Sequence, residues 1–351
     1  IIVLRSCSSD ISSCGSYSTY SGFLFLFIKY VNITIMKEIK KVLVCGIGAV
    51  GSIYADKIQS YDAENLRVLV DKDRLERYSK NPTVFNGRIL NFNYVLPEET
   101  EFKADLIIIA TKFAGLADVI NNMKNFVKDD TIILSLLNGV TSEKIIAETY
   151  GRDKLLYSYF IGHSAVRDGR CITQDGVNTV VYGSENAKDY ENVEKVKRFF
   201  EKANINFKIP DDIIHSLWLK FMLNVSANQT TAIMRMNFGE MLENDKCMNF
   251  AINLMKEVQA VAQAEGVKNT EIMIDETIKH LHTMIPEGKT SMLQDVEAGR
   301  KTEVDMFAGT VIKLAKKYNI STPYNETVKE IIEIIHRQQD INNAKKIVEK
   351  V

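Results

Sequence analysis

The sequence has no excess of charge of either sign. Its 44 basic and 45 acidic side chains leave a formal net charge of −1 over 351 residues. No basic domain or stripe stands out of the kind that a dedicated nucleic-acid binder carries. Cysteine is sparse and scattered: Cys7, Cys14, Cys45, Cys171 and Cys247 form no CxxC pair and have no histidine at metal-ligand spacing. That argues against a zinc site or a disulfide framework, and it makes a reducing cytoplasm the expected compartment. Long apolar runs are also missing. The run Phe23-Leu-Phe-Leu-Phe-Ile28 stops at Lys29, far short of the roughly 20 residues that a spanning helix needs. A secretory signal would want a basic leader, a longer apolar core and a small-residue cleavage site. What remains is an ordinary globular composition, 46% hydrophobic and 25% charged. It excludes a disordered or collagen-like chain, and its length suits two domains.

Residues 1–35 read as an upstream extension without function, the alternative being a targeting or membrane-associating segment. Met36 is followed at once by Lys-Glu-Ile-Lys-Lys-Val-Leu-Val-Cys-Gly, a natural start leading into a first strand. The short β-type run Lys41 to Cys45 is followed by Gly46-Ile47-Gly48-Ala49-Val50-Gly51 and then by helical spacing from Ser52. A GxGxxG match carries weight only in this strand–turn–helix setting. The first glycine allows a tight turn, the second lets backbone approach a pyrophosphate, and the third lets the helix pack on the strand with its positive end toward the phosphates. Gly46, Ile47, Gly48, Ala49, Val50 and Gly51 are therefore candidate dinucleotide-binding residues.

A second strand, Leu66 to Asp71, ends in an acidic residue where such a site expects one. Asp71 there normally accepts from the adenosine ribose hydroxyls and repels a 2′-phosphate, which points to NAD. Lys72 and Arg74 follow immediately and are suited to pair with that phosphate, as in NADP sites, so the residues leave the choice open. Two further apolar runs, Ala104–Ala110 and Asp130–Leu137, read as strands of a parallel sheet buried on both faces. They end in Thr111-Lys112 and Asn138-Gly139. Ligands in such folds lie beyond the carboxyl ends of the strands. That puts Lys112 and Asn138 near a bound nicotinamide, unless they are a solvated loop lysine and a turn-forming pair.

The second half changes character. Residues 155–184 look like hairpin strands, with Asp168-Gly169 and Asp175-Gly176 as turn signals. Pro210-Asp211-Asp212 reads as linker and helix cap. Apolar helical periodicity then runs through 213–236, 247–265, 270–284, 291–318 and 323–349. The expected architecture is α/β: a Rossmann-type NAD(P)-binding domain over 36–210, followed by an all-helical substrate domain over 211–351. Lys220, Asn224 and Asn228 recur every fourth residue, within about 80° on one helical face, among apolar Leu217, Phe221, Met222 and Val225. Buried polar groups demand partners, so the stripe is a candidate site. Ser291, Asp295, Thr302 and Glu303 form a second polar cluster. They read either as a cleft-facing edge or as a helix cap with acids paired to Arg300 and Lys301.

These residues, taken in order from the glycine motif through Thr111-Lys112, Asn138-Gly139, Trp218–Asn228 and Ser291–Glu303 to Thr322-Pro323-Tyr324-Asn325, resemble the ketopantoate reductase (2-dehydropantoate 2-reductase) family from Met36 to about Glu349. The resemblance implies reduction of 2-dehydropantoate to (R)-pantoate in pantothenate and coenzyme A biosynthesis, with NADP(H) as cofactor. It implies Lys220 as catalytic general acid with Glu303 its acidic partner, holding Lys220 when the site is empty or meeting substrate and cofactor. Asn224, Asn228, Ser291 and Asn138 would hold the substrate, and Lys112 and Asn138 would lie near the nicotinamide ribose. Asn237 is a weaker match, one residue out of register. Asp71 departs from the basic residue common there, so NAD(H) and an NAD-dependent D-2-hydroxyacid (mandelate-type) dehydrogenase form the alternative. A cofactor sensor without turnover would have no reason to keep Lys220 with Glu303 and the amides. No metal, nucleic acid or membrane partner is expected, and apolar stripes on 247–265 and 323–349 suit a homodimer.

Overall fold

The polypeptide from Val42 to Lys208 is organised around parallel strands that are apolar on both faces. A computed structural model describes residues 37–162 and 166–348; the expected extension at 1–35 lies outside the described residues. The strands are β1 (Val42–Cys45), β2 (Leu66–Leu69), β3 (Val84–Phe85), β4 (Arg88–Ile89), β5 (Tyr94–Val95), β6 (Leu106–Ile109), β7 (Ile132–Ser135), β8 (Leu155–Gly162), β9 (Val166–Asp168), β10 (Cys171–Thr173), β11 (Asn178–Gly183) and β12 (Phe207–Lys208). Eight of them form one sheet in the order β12-β11-β8-β7-β6-β1-β2-β5. All neighbours run parallel except the β8–β11 pair. Every residue of β1, β6 and β7 is buried, because helices cover both faces of such a sheet. Full burial of one side chain such as Ile107 contributes about 1.5–3 kcal/mol.

Five helices serve this sheet: α1 (Ala49–Asp62), α2 (Lys72–Lys80), α3 (Leu116–Asn122), α4 (Ser142–Tyr150) and α5 (Tyr190–Lys202). They divide its apolar packing into two clusters, one holding Val44 and Ile108 and the other Leu43 and Ile107. The strand order reverses between β1 and β6, and at such a switch point a doubly wound sheet opens a crevice. A smaller sheet, ordered β4-β3-β10-β9, carries the turn at Gly169-Arg170.

From Ile213 onward the chain is helical. Asp212 caps α6 (Ile213–Leu223), its side chain accepting from His215 N. Then come a π turn (Asn224–Asn228), α7 (Gln229–Met234), α8 (Phe238–Leu242), α9 (Asp245–Ala264), α10 (Met273–Leu281), α11 (Ser291–Glu297), α12 (Ala308–Lys317) and α13 (Pro323–Val348). Three features depart from the periodicity. The stretch 213–236 is not one α-helix, since the π turn interrupts it. Asn237 starts the extra helix α8, where its side chain and that of Glu240 form a reciprocal capping box. The stretch 291–318 is two helices, because Gly299 adopts a positive φ of 67°, a conformation glycine tolerates and a helix does not. The two halves meet where Tyr159 and Val181 of the sheet pack on Ile213 and Leu217 of α6, and the Tyr159 and Ser216 hydroxyls share a 2.7 Å bond.

Candidate active site

A cavity of about 1010 Å³ opens beyond the carboxyl ends of β1, β2, β6 and β7. Its floor is backbone: Gly46, Ile47, Gly48, Ala49 and Val50 line it. Gly46 turns at φ +96°, and a Cβ there would stand 2.9 Å from the Ala110 carbonyl oxygen. A Cβ at Gly48 would meet nothing within 4 Å, so the empty space beside it is free for a ligand. Gly48 also precedes the 14-residue helix α1, whose unpaired N–H groups favour an anion at that end. Gly51 is off the cavity wall. Its part is packing, since a Cβ there would lie 1.8 Å from the Gly46 carbonyl oxygen. These features fit a dinucleotide pyrophosphate.

At the end beyond β2, Asp71 lines the wall but spends its carboxylate on its own helix. It caps α2 by accepting from Arg74 N at 2.6 Å, and it pairs with the Arg74 guanidinium at 2.7 Å. Lys72, expected beside a 2′-phosphate, is off the wall and faces Glu98 at 3.8 Å. Arg74 is on the wall, joined by two residues the sequence reading missed: Arg77 on α2 and Arg170 on the β9–β10 turn. Arg77 falls one turn after Arg74, a spacing that was there to be read; Arg170 is brought in by pairing of β10 with β3 across some 87 residues. Thr83 lies at the same end, and its buried hydroxyl has no hydrogen-bond partner.

The opposite end gathers Lys112, Asn138, Ser291 and Glu303. Asn138 Nδ2 donates to Glu303 Oε2 at 2.9 Å, so Glu303 is held by the asparagine and not by Lys220 as expected. Glu303 stands in the loop between α11 and α12, away from helix periodicity. Ser291 is the first residue of α11, and the cap is Thr290, whose hydroxyl accepts from Leu293 N. Asp295 and Arg300 are both on the wall and pair at 2.7 Å. Thr302 is off the wall. Among the described residues no group of His, Cys, Asp and Glu is arranged to hold a metal ion.

Lys220, Asn224 and Asn228 are not among the residues that line this cavity. Asn224 and Asn228 are buried, and Asn228 Nδ2 reaches Asn224 Oδ1 at a long 3.5 Å. The π turn widens the step between them, so the even four-residue stripe read from the sequence ends at Asn224; π turns occur often at functional sites. Lys220 is part-buried near the end of α6. Burial without a nearby carboxylate pulls its ammonium down to about 8, because a poorly solvated charge favours the neutral form. Burial, with the charges of Lys220 and Lys208 added to it, holds His280 of α10 below the usual histidine range. α6 is fixed at its start by His215, whose ring nitrogens bond the Lys268 carbonyl at 3.0 Å and Glu276 at 2.7 Å.

Comparison with known proteins gives a consistent result. The family described as "Ketopantoate reductase PanE/ApbA" matches residues 42–186, and "Ketopantoate reductase PanE/ApbA C terminal" matches 212–336. A 2-dehydropantoate 2-reductase from Pyrococcus horikoshii is 28% identical over 288 residues, 81% of this chain and 94% of that protein. In shape the chain is similar to a D-mandelate dehydrogenase solved with NADH and anilino(oxo)acetate (TM-score 0.75, 22% identity, 86% of this chain and 99% of that one). It is also similar to a dimeric ketopantoate reductase from Staphylococcus aureus (TM-score 0.67, 21% identity, 85% and 99%).

Proposed function

The chain belongs to the ketopantoate reductase family, and from that premise we propose that it reduces 2-dehydropantoate to (R)-pantoate with NADPH, Lys220 acting as general acid. The observation that carries the reading is the Lys220 ammonium, brought to about 8 by burial on the helix that runs into the buried asparagines 224 and 228. An acid of that strength is protonated at neutral pH yet gives up its proton readily, the condition for efficient proton donation.

A reduced nicotinamide dinucleotide, which the glycine turn Gly46–Val50 would hold, would supply the hydride for the ketone carbon of the 2-oxo acid. Negative charge then grows on the ketone oxygen, where the Lys220 ammonium stabilises it and delivers the proton that completes the alcohol. Asn224, Asn228 and Ser291 orient the substrate through neutral groups that leave the lysine the dominant charge. Asn138 holds Glu303 by its amide at 2.9 Å, which keeps that carboxylate at the cavity wall, poised to accept from a substrate hydroxyl. The glycine turn and the start of α1 hold the pyrophosphate. Use of NADPH is supported by Arg77 and Arg170, on the wall at the end beyond β2 and, among the described residues, without a paired carboxylate, while Asp71 is engaged by Arg74.

A second reading, an NADH-dependent D-2-hydroxyacid dehydrogenase, draws on Asp71 at the end of β2 and on the similarity to the D-mandelate dehydrogenase. Steady-state rates with ketopantoate and phenylglyoxylate, each with NADPH and NADH, separate the two. Ketopantoate with NADPH is expected to give the highest kcat/KM; a preference for phenylglyoxylate with NADH overturns the proposal in favour of the second reading.

A further inference from the structure

The side chain of Gln229 is fully buried and makes three hydrogen bonds to three separate segments. It follows directly on the π turn. Its backbone N–H bonds the Ser226 carbonyl, not that of Val225, which an α-helix would have used. The side chain takes over the vacated place: Nε2 donates to the Val225 carbonyl at 2.8 Å. The same amide donates to Asn325 Oδ1 at 3.4 Å, and Oε1 accepts from Ala308 N at 3.1 Å. Asn325 is fixed in turn by Glu257, which accepts its side-chain amide at 2.7 Å and its backbone N–H at 3.0 Å.

Ala308 begins α12, and the residue before it, Phe307, donates its N–H to the Glu303 carbonyl at 3.1 Å. One amide thus ties the turn that carries Asn224 and Asn228 to the segment that carries Glu303. A neighbour repeats the device, since the Thr231 hydroxyl bonds the Thr290 hydroxyl at 2.7 Å, and Thr290 caps the helix that begins with Ser291. Each polar group proposed for the substrate side, apart from Lys220 and Asn138, therefore hangs on a segment anchored at or just after the end of the π turn.

We propose that Gln229 is a positioning residue of this enzyme: its side-chain amide maintains the π turn at Asn224–Asn228 and registers that turn against the Glu303 segment, without touching substrate. The proposal rests on the functional reading above. An apolar side chain of similar length would leave the Ala308 N–H and the Val225 carbonyl buried without these partners, a situation proteins avoid. The turn would then shift toward an ordinary α-helical step. A misplacement of about 1 Å at a substrate group costs up to about 100-fold in rate.

The test uses Gln229→Met and Gln229→Glu in the full chain, with kcat/KM for ketopantoate and phenylglyoxylate, NADPH affinity by fluorescence titration, and a crystal structure of each variant. For Gln229→Met the expected result is a fall of about 10- to 100-fold in kcat/KM, NADPH affinity within about twofold of wild type, and loss of the π turn. Gln229→Glu keeps the acceptor for Ala308 but donates to Val225 only when protonated. Its activity relative to wild type should therefore rise as pH falls, and this variant carries the test if Gln229→Met does not fold. Unchanged kcat/KM, a parallel loss of substrate and NADPH affinity, or a pH-independent Gln229→Glu ratio overturns the proposal. Wild type inactive on both 2-oxo acids would instead overturn the functional reading, and the π turn in the variant structures would still decide the positioning claim.

Discussion

At the carboxyl ends of β1 and β6 the site is built from backbone and from the absence of side chains. Gly48 leaves open space, Gly51 lets α1 touch the β1 turn, and few side chains are needed to shape the floor. In the helical half the opposite holds. Asn224, Asn228 and Gln229 are polar side chains in an apolar core, and their positions depend on specific hydrogen bonds between segments distant in sequence. The first arrangement fits a common anionic group through local backbone geometry. The second needs a particular set of partners, and on the proposed reading it is where substrate choice and chemistry are set.

The contrast predicts that chemistry and cofactor binding separate cleanly on mutation. The largest effect is expected for Lys220→Met. Its kcat/KM falls by about 10²–10⁴-fold, while NADPH affinity from fluorescence titration stays within about twofold. Removing a buried ammonium that has no carboxylate beside it should also raise Tm by roughly 2–4 °C, the familiar trade of stability against function. Loss of NADPH binding in step with turnover would break the comparison.

A smaller and more selective effect is expected at the end beyond β2. Arg77→Ala and Arg170→Ala each weaken NADPH by about tenfold, the scale of one charge-assisted hydrogen bond to phosphate, and leave NADH unchanged. The smallest belongs to Lys72→Ala, whose exposed contact with Glu98 is worth about 0–1 kcal/mol; neither cofactor's affinity should move. Kd values for both cofactors across the three variants check this order, and a larger change at Lys72 than at Arg77 would reverse the assignment.

Legibility in the sequence divides along the same line. The glycine spacing, the doubly apolar strands and the Asp212 cap could be read because each is a local signal with a local cause. Arg170 could not, since only the pairing of β10 with β3 carries it to the cavity. The Asn138–Glu303 bond spans 165 residues and displaced the expected tie between Glu303 and Lys220. The π turn was hidden for a different reason: the apolar spacing around it is helical, and the bonds proposed to maintain it tie Gln229 to Asn325 and Ala308, distant in sequence. Asp71 shows how one local signal carries two readings, since an acid at the end of a strand reads as a ribose partner and here, on the cavity wall, also serves as helix cap to α2.

The most direct test of the account is the pH dependence of kcat/KM for ketopantoate with saturating NADPH. A group whose ionisation is lowered by burial to about 8 is protonated below that pH and neutral above it. The account therefore predicts a level rate up to about pH 7.5 and a loss approaching tenfold per pH unit above about 8. A rate that stays level to pH 10 would contradict it, because the proton would then come from some group other than Lys220.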